Sequence, residues 1–175
     1  EIDIDDDQSE RILAQHDPSL IISIERPGQA VDGRYYNMRG VDISDKCANF
    51  DRFMHQASCP TIAIGDGGNE IGMGNIAETL DQLDIRASQT CCDELLVADV
   101  SNWAAHGLIA LLSVMVSEDL LGNWNNHTIL SYLSAAGSVD GVTGENTLTE
   151  DGMESAVSEA LIERLRVLTG FKTTA

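Results

Sequence analysis

Three short apolar runs, Leu20 to Ile24, Thr61 to Ile64 and Leu95 to Ala98, are continuous rather than alternating. A strand with one wet face alternates apolar and polar side chains, so a continuous run calls for cover on both faces, as in a parallel sheet. Helical patterns fill the spaces between and after them. Phe50, Phe53, Met54 and Ala57 make one stripe, and Ile129, Leu130, Leu133 and Ala136 another, with Asn125 and Asn126 as N-cap candidates. Val157, Leu161, Leu165 and Leu168 make a third, and Asn102 to Val116 is apolar nearly all round, which predicts the most buried helix. A weaker edge strand is predicted at Ile2 to Ile4. This order predicts one domain over residues 1–175, a layered α/β fold with a mainly parallel sheet.

The chain carries 10 Lys plus Arg against 29 Asp plus Glu, a formal charge of −19. Such a field repels nucleic-acid phosphates and anionic lipid headgroups, so neither nucleic acid nor a membrane is an expected partner. The longest apolar stretch, Gly107 to Val116, is about half of the roughly 20 residues a membrane-spanning helix requires. Four cysteines without C-x-x-C or zinc-finger spacing predict a reducing, intracellular compartment. The adjacent Cys91 and Cys92 read as a small buried hydrophobe beside a loop thiol.

Each strand candidate is followed within two residues by a carboxylate: Glu25, Asp66 and Asp99. In an open parallel sheet the carboxyl ends of the strands share one rim, and ligands bind there where the strand order reverses. The three acids are therefore expected to face one crevice; capping of the following helices is the alternative use.

The densest signal is the run Gly65 to Asn75, which holds five of the chain's 15 glycines directly after a strand. Glycines permit positive φ and close backbone approach, so the amides of Gly67, Gly68 and Asn69 are candidate anion donors. The alternative is a tight, closely packed strand-to-helix turn. A Walker A loop is excluded by the absence of lysine from this run, and no G-x-S-x-G elbow exists for a hydrolase triad. Arg26, Arg34 and Arg39, three of the ten basic residues, fall in Glu25 to Gly40. They would either clamp a small acidic metabolite in bidentate fashion or neutralise neighbouring acids. A third block, Asp99 to Gly107, places Asn102 and His106 at the start of the buried helix, where the dipole favours a neutral imidazole able to accept a proton. Packing is the other role open to His106. Asp66, Glu70 and Asp99 offer hard oxygen donors of the kind Mg²⁺ or Mn²⁺ prefers.

These blocks, Glu25 to Gly28 with Asp32 to Gly40, Gly65 to Asn75, and Ala98 to Gly107, together with the Gly137 to Gly144 segment, resemble the C-terminal domain of the D-glutamate cyclase family. The resemblance spans about Leu20 to Leu168. It implies a Rossmann-like fold and a hydro-lyase activity, the dehydrative closure of D-glutamate to 5-oxo-D-proline by attack of the α-amine on the γ-carboxyl carbon. It further implies more sheet than this chain holds, supplied by an upstream segment or a second copy, and a cytoplasmic (bacterial) or mitochondrial (eukaryotic) setting. On that reading Asp66 or Asp99 is the base, Glu70 the acid for departing water, and Gly67 and Gly68 the oxyanion donors; Glu25, the arginines, Asn69 and Asn102 bind substrate. A non-catalytic domain that binds a nucleotide or small anion is the alternative, with an assembly subunit a third reading.

Overall fold

The structure is a computed structural model that describes residues 4–173. It contains α1 (Asp6–His16), β1 (Ile21–Ile24), α2 (Asp51–Gln56), β2 (Thr61–Gly65), α3 (Ala77–Leu80), β3 (Glu94–Val97), α4 (Ser101–Val116), α5 (Asn126–Ala135), β4 (Thr149–Glu150), β5 (Met153–Glu154) and α6 (Ser155–Leu168). The chain divides into two compact units, one ending at Ser101 and one beginning at Asn102.

The first unit is built on a parallel sheet in the order β1-β2-β3, so the mixed α/β fold and its three strands agree with the sequence reading. Ile21 pairs with Thr61 and Ile24 with Ile64, while Ile64 pairs with Leu96 and Gly65 with Val97. Ile21, Ala63 and Leu95 therefore share one face, which packs on Met54, Ile71 and Cys92. Continuous burial holds only for β2. Both β1 and β3 are edges, and Ile22, Ile24 and Val97 are exposed. The strand order runs in sequence without a reversal, so the rim offers no switch point.

The sequence reading missed α1, whose composition is too polar for an apolar stripe. Its signal is instead local chemistry, a capping box in which Asp5 accepts the Gln8 N–H and the Gln8 side chain accepts the Asp5 N–H. The Ile2 to Ile4 strand candidate lies largely outside the described residues, and Ile4 itself is irregular.

In the second unit Ala110 of α4, Leu121 and Ile162 of α6 form the core, with Ile109 and Leu165 packed against it. Asn125 caps α5 by accepting the Thr128 N–H, as expected. Two expectations fail. The C-terminal half of α4 is buried only along one edge, at Ala110 and Ser113, with Leu111, Val114, Met115 and Val116 exposed. The α6 stripe holds only in part, since Leu165 packs on the core beside Ile162 while Val157 and Leu168 are exposed. In both helices apolar residues outnumber the positions that one small core can cover.

Candidate active site

Glu25 and Asp66 follow β1 and β2 at the same end of the sheet, and Glu70 joins them. One carboxylate oxygen from each of the three lies within 4.8 Å of the others. Two local features bring Glu70 there. Past β1 the chain pairs antiparallel with the segment past β2: Gly28 N–H donates to Asn69 C=O (2.8 Å), Ile71 N–H donates to Arg26 C=O (2.8 Å), and Pro27 bridges Glu70. The glycine-rich turn then folds the Glu70 side chain back onto its own loop, where Oε1 accepts Gly67 N–H at 3.0 Å and Oε2 accepts Gly68 N–H at 2.7 Å.

That geometry corrects the anion-donor role expected of Gly67 and Gly68. Their amides already solvate the protein's own buried carboxylate, so they offer no oxyanion hole. It equally turns Glu70 from the expected proton donor into an acceptor on both oxygens. The glycines themselves answer to packing. A Cβ on Gly72, which has φ +97°, would sit 2.3 Å from the Ala63 Cβ, and one on Gly74 would sit 2.4 Å from the Gln89 carbonyl oxygen. Asn69 is buried and donates its side-chain amide to Tyr36 C=O (2.8 Å), which ties the 36–39 loop over the turn. Met38 lies against Gly67 in the same way.

Glu25 is one of four non-glycine residues with positive φ among the described residues, here +54°. Left-handed backbone at a non-glycine residue is strained and concentrates at functional sites. Ser101, the first residue of α4, is bound twice: its N–H donates to Asp66 Oδ2 at 3.0 Å, and its hydroxyl donates to Glu25 Oε2. Each of the three acids is thus oriented by donors, Glu70 by the amides of its own loop and Glu25 and Asp66 by Ser101 at the head of α4. Three carboxylates in so small a space repel one another, a strain relieved by a cation, either a substrate ammonium or a divalent metal. The donor set is all hard oxygen, which fits Mg²⁺ or Mn²⁺.

The other expected site residues are distributed differently. Asp99 is exposed beyond β3 and stands outside the carboxylate cluster. Arg34 is exposed and pairs with Asp42 at 3.2 Å, the charge-neutralising role, while Arg39 lies on the exposed part of the 36–39 loop. Arg26 lines a separate cavity with Phe50. In the second unit the Asn102 side chain donates to Glu150 Oε1 at 2.6 Å. His106 is buried, packs edge-on against Trp124 at 4.9 Å between ring centroids, and has no hydrogen-bond partner on either ring nitrogen among the described residues. Burial pushes its pKa down, with Glu150 opposing, so the neutral imidazole expected from the sequence has burial as its cause. The Gly137 to Gly144 segment is a tied turn. Asp140 Oδ1 accepts Val142 and Thr143 N–H, and Oδ2 accepts the Thr149 hydroxyl and Gly152 N–H.

Cys92 packs against the sheet core, where burial raises its thiol pKa, while Cys91 is exposed, as the sequence suggested. No helix among the described residues is long and apolar enough to cross a membrane.

The protein resembles human mitochondrial D-glutamate cyclase, with 35% identity over 105 residues covering 55% of this chain and 17% of the human protein. The chain therefore spans less than a fifth of that relative's length where the two align. The family described as D-glutamate cyclase-like, C-terminal, matches residues 2–166. The resemblance read from the four sequence blocks is thus met by a match along nearly the whole chain, and the protein belongs to the D-glutamate cyclase-like, C-terminal family.

Proposed function

We propose that the chain carries the reacting-group site of a hydro-lyase that closes D-glutamate to 5-oxo-D-proline. The observation that carries this reading is the Glu25–Asp66–Glu70 cluster, which suits a substrate that presents an ammonium group to it. Closure forms the bond between the α-nitrogen and the γ-carbon and breaks one γ-carbon–oxygen bond. Two protons leave the ammonium, and the departing oxygen takes both up as water. Because the attack is intramolecular, the main task of the protein is to hold the near-attack conformer.

In this reading Glu25 and Glu70 fix the ammonium, and Asp66, the least encumbered of the three, takes the two protons from nitrogen in turn and passes each to the departing oxygen. Among the described residues Asp66 accepts the Ser101 N–H on Oδ2. Arg34 is engaged by Asp42, and the charge suited to a substrate carboxylate is that of Arg39, on the loop that covers Gly67. In place of the ammonium, Glu25, Asp66 and Glu70 would hold Mg²⁺ or Mn²⁺. When bound, such an ion supplies charge neutralisation and polarisation of a carboxylate oxygen. The relative's mitochondrial name supports an intracellular setting.

The test is incubation of the purified chain with D- or L-glutamate, with and without Mn²⁺, followed by chiral detection of 5-oxoproline. Release of 5-oxo-D-proline from the D-isomer is expected. Saturable glutamate binding without product would overturn the enzymatic reading in favour of a small-anion-binding domain.

A further inference from the structure

A second cavity, of about 710 Å³, lies beside the 44–52 segment, and its lining includes none of Glu25, Asp66 and Glu70. We infer that this cavity is an anion-binding site for a small molecule that carries a carboxylate or phosphate group next to a hydrogen-bond donor.

Its charge is the first reason. Arg26, Lys46 and Arg52 all line it, three of the ten cations of a chain whose net charge is −19, and Asp45 is the one carboxylate among the lining residues. Arg52 is paired with Asp6, but neither Arg26 nor Lys46 enters an ion pair among the described residues. In so acidic a protein, two cations left without carboxylates on one cavity wall are a local reversal of the prevailing field.

Unmet polar groups are the second. Among the described residues Arg26 Nε is buried without a partner, and Nη2 reaches only the Ala48 carbonyl, at a long 3.5 Å. A guanidinium so poorly satisfied is costly unless an anion completes its shell. Asn49 Oδ1 is likewise buried and unpartnered among the described residues, and an amide oxygen requires a donor. One oxyanion with a neighbouring hydroxyl, amine or amide would satisfy both residues, whereas a bare anion would satisfy only the arginine.

Rigidity is the third. The Arg26 guanidinium stacks over the Phe50 ring at 4.2 Å, and Phe50 packs in turn on Phe53 at 5.6 Å. Stacking fixes the plane of the fork, so a planar carboxylate or a phosphate edge meets it in bidentate register with little further loss of side-chain freedom. The volume lies within the roughly 300–1,000 Å³ span of small-ligand sites.

The experiment is calorimetric titration of the intact chain with inorganic phosphate, glutarate and 2-hydroxyglutarate at constant ionic strength. Phosphate tests the phosphate source of the oxyanion and the two dicarboxylates test the carboxylate source. Saturable 1:1 binding of phosphate or 2-hydroxyglutarate is expected, with 2-hydroxyglutarate tighter than glutarate. Lys46→Gln, at an exposed position that leaves the fold intact, should weaken the better ligand by about tenfold or more, or about 1.4 kcal/mol. Arg26→Gln should weaken it further, and Arg34→Gln should leave it unchanged. Asp66→Asn should also leave it unchanged, which separates this site from the acidic one: turnover can fail while anion binding holds, and the reverse. Absence of saturable binding by any of the three probes, or equal weakening in Lys46→Gln and Arg34→Gln, would overturn the proposal.

Discussion

The backbone N–H of Ser101, at the head of α4, donates to Asp66 Oδ2 at 3.0 Å, so the acid that ends β2 also holds the first amide of the next helix. An Asn at position 66 could still accept that N–H through its amide oxygen, since Asn and Asp serve comparably at helix N-termini. Asp66→Asn is therefore expected to melt within a few degrees of the parent while kcat falls by about 10² or more. Thermal denaturation and turnover measured side by side check this, and full activity in the folded variant would remove Asp66 from the mechanism.

Gly72 should tolerate no side chain. Its φ of +97° disfavours every L-residue, and a Cβ would approach Ala63 Cβ at 2.3 Å in the interior of the sheet face. Gly72→Ala is expected to cost about 1–3 kcal/mol, from overpacking and backbone strain together. Gly33, with φ +77° but open space around it, offers the comparison, and Gly33→Ala should cost less by urea denaturation.

His106 makes stability sensitive to mild acid. Burial sets its folded pKa below the unfolded value of about 6.5. The unfolded ring therefore takes up a proton that the folded ring refuses. Stability from this residue is complete above about pH 6.5 and declines as pH falls toward the folded pKa. His106→Phe keeps an aromatic edge toward Trp124 and removes the titration. Its urea midpoint should change less between about pH 7 and 5 than that of the parent.

Asp140 acts in a lower range. Its four accepted hydrogen bonds hold its pKa below the usual carboxylate value, although burial opposes the shift. Its contribution is present above the unfolded pKa of about 3.9 and is lost as pH falls through the lower folded value. Asp140→Asn places an NH₂ group against an N–H or O–H donor. A loss of about 1–3 kcal/mol at neutral pH is expected, with a shallower decline in acid, by denaturant titration across pH.

The sequence by itself determined the features written in short-range chemistry. Continuous apolar runs located β1, β2 and β3, Asn125 marked the start of α5, and the spacing of glycines marked a tight turn after β2. Each depends on side-chain periodicity or on a cap within a few residues. Tertiary structure decided which acids meet. Asp99 matched Glu25 and Asp66 in its place after a strand, yet Glu70 took its position in the cluster, because pairing of residues 26–28 with 69–71 and the fold-back onto Gly67 and Gly68 are contacts that no periodicity encodes. Tertiary structure likewise separated the arginines, sending Arg34 to Asp42 and Arg26 to the Phe50 cavity, and it left half of α4 exposed. Burial and ion pairing depend on which distant surfaces meet, and local sequence constrains those only weakly.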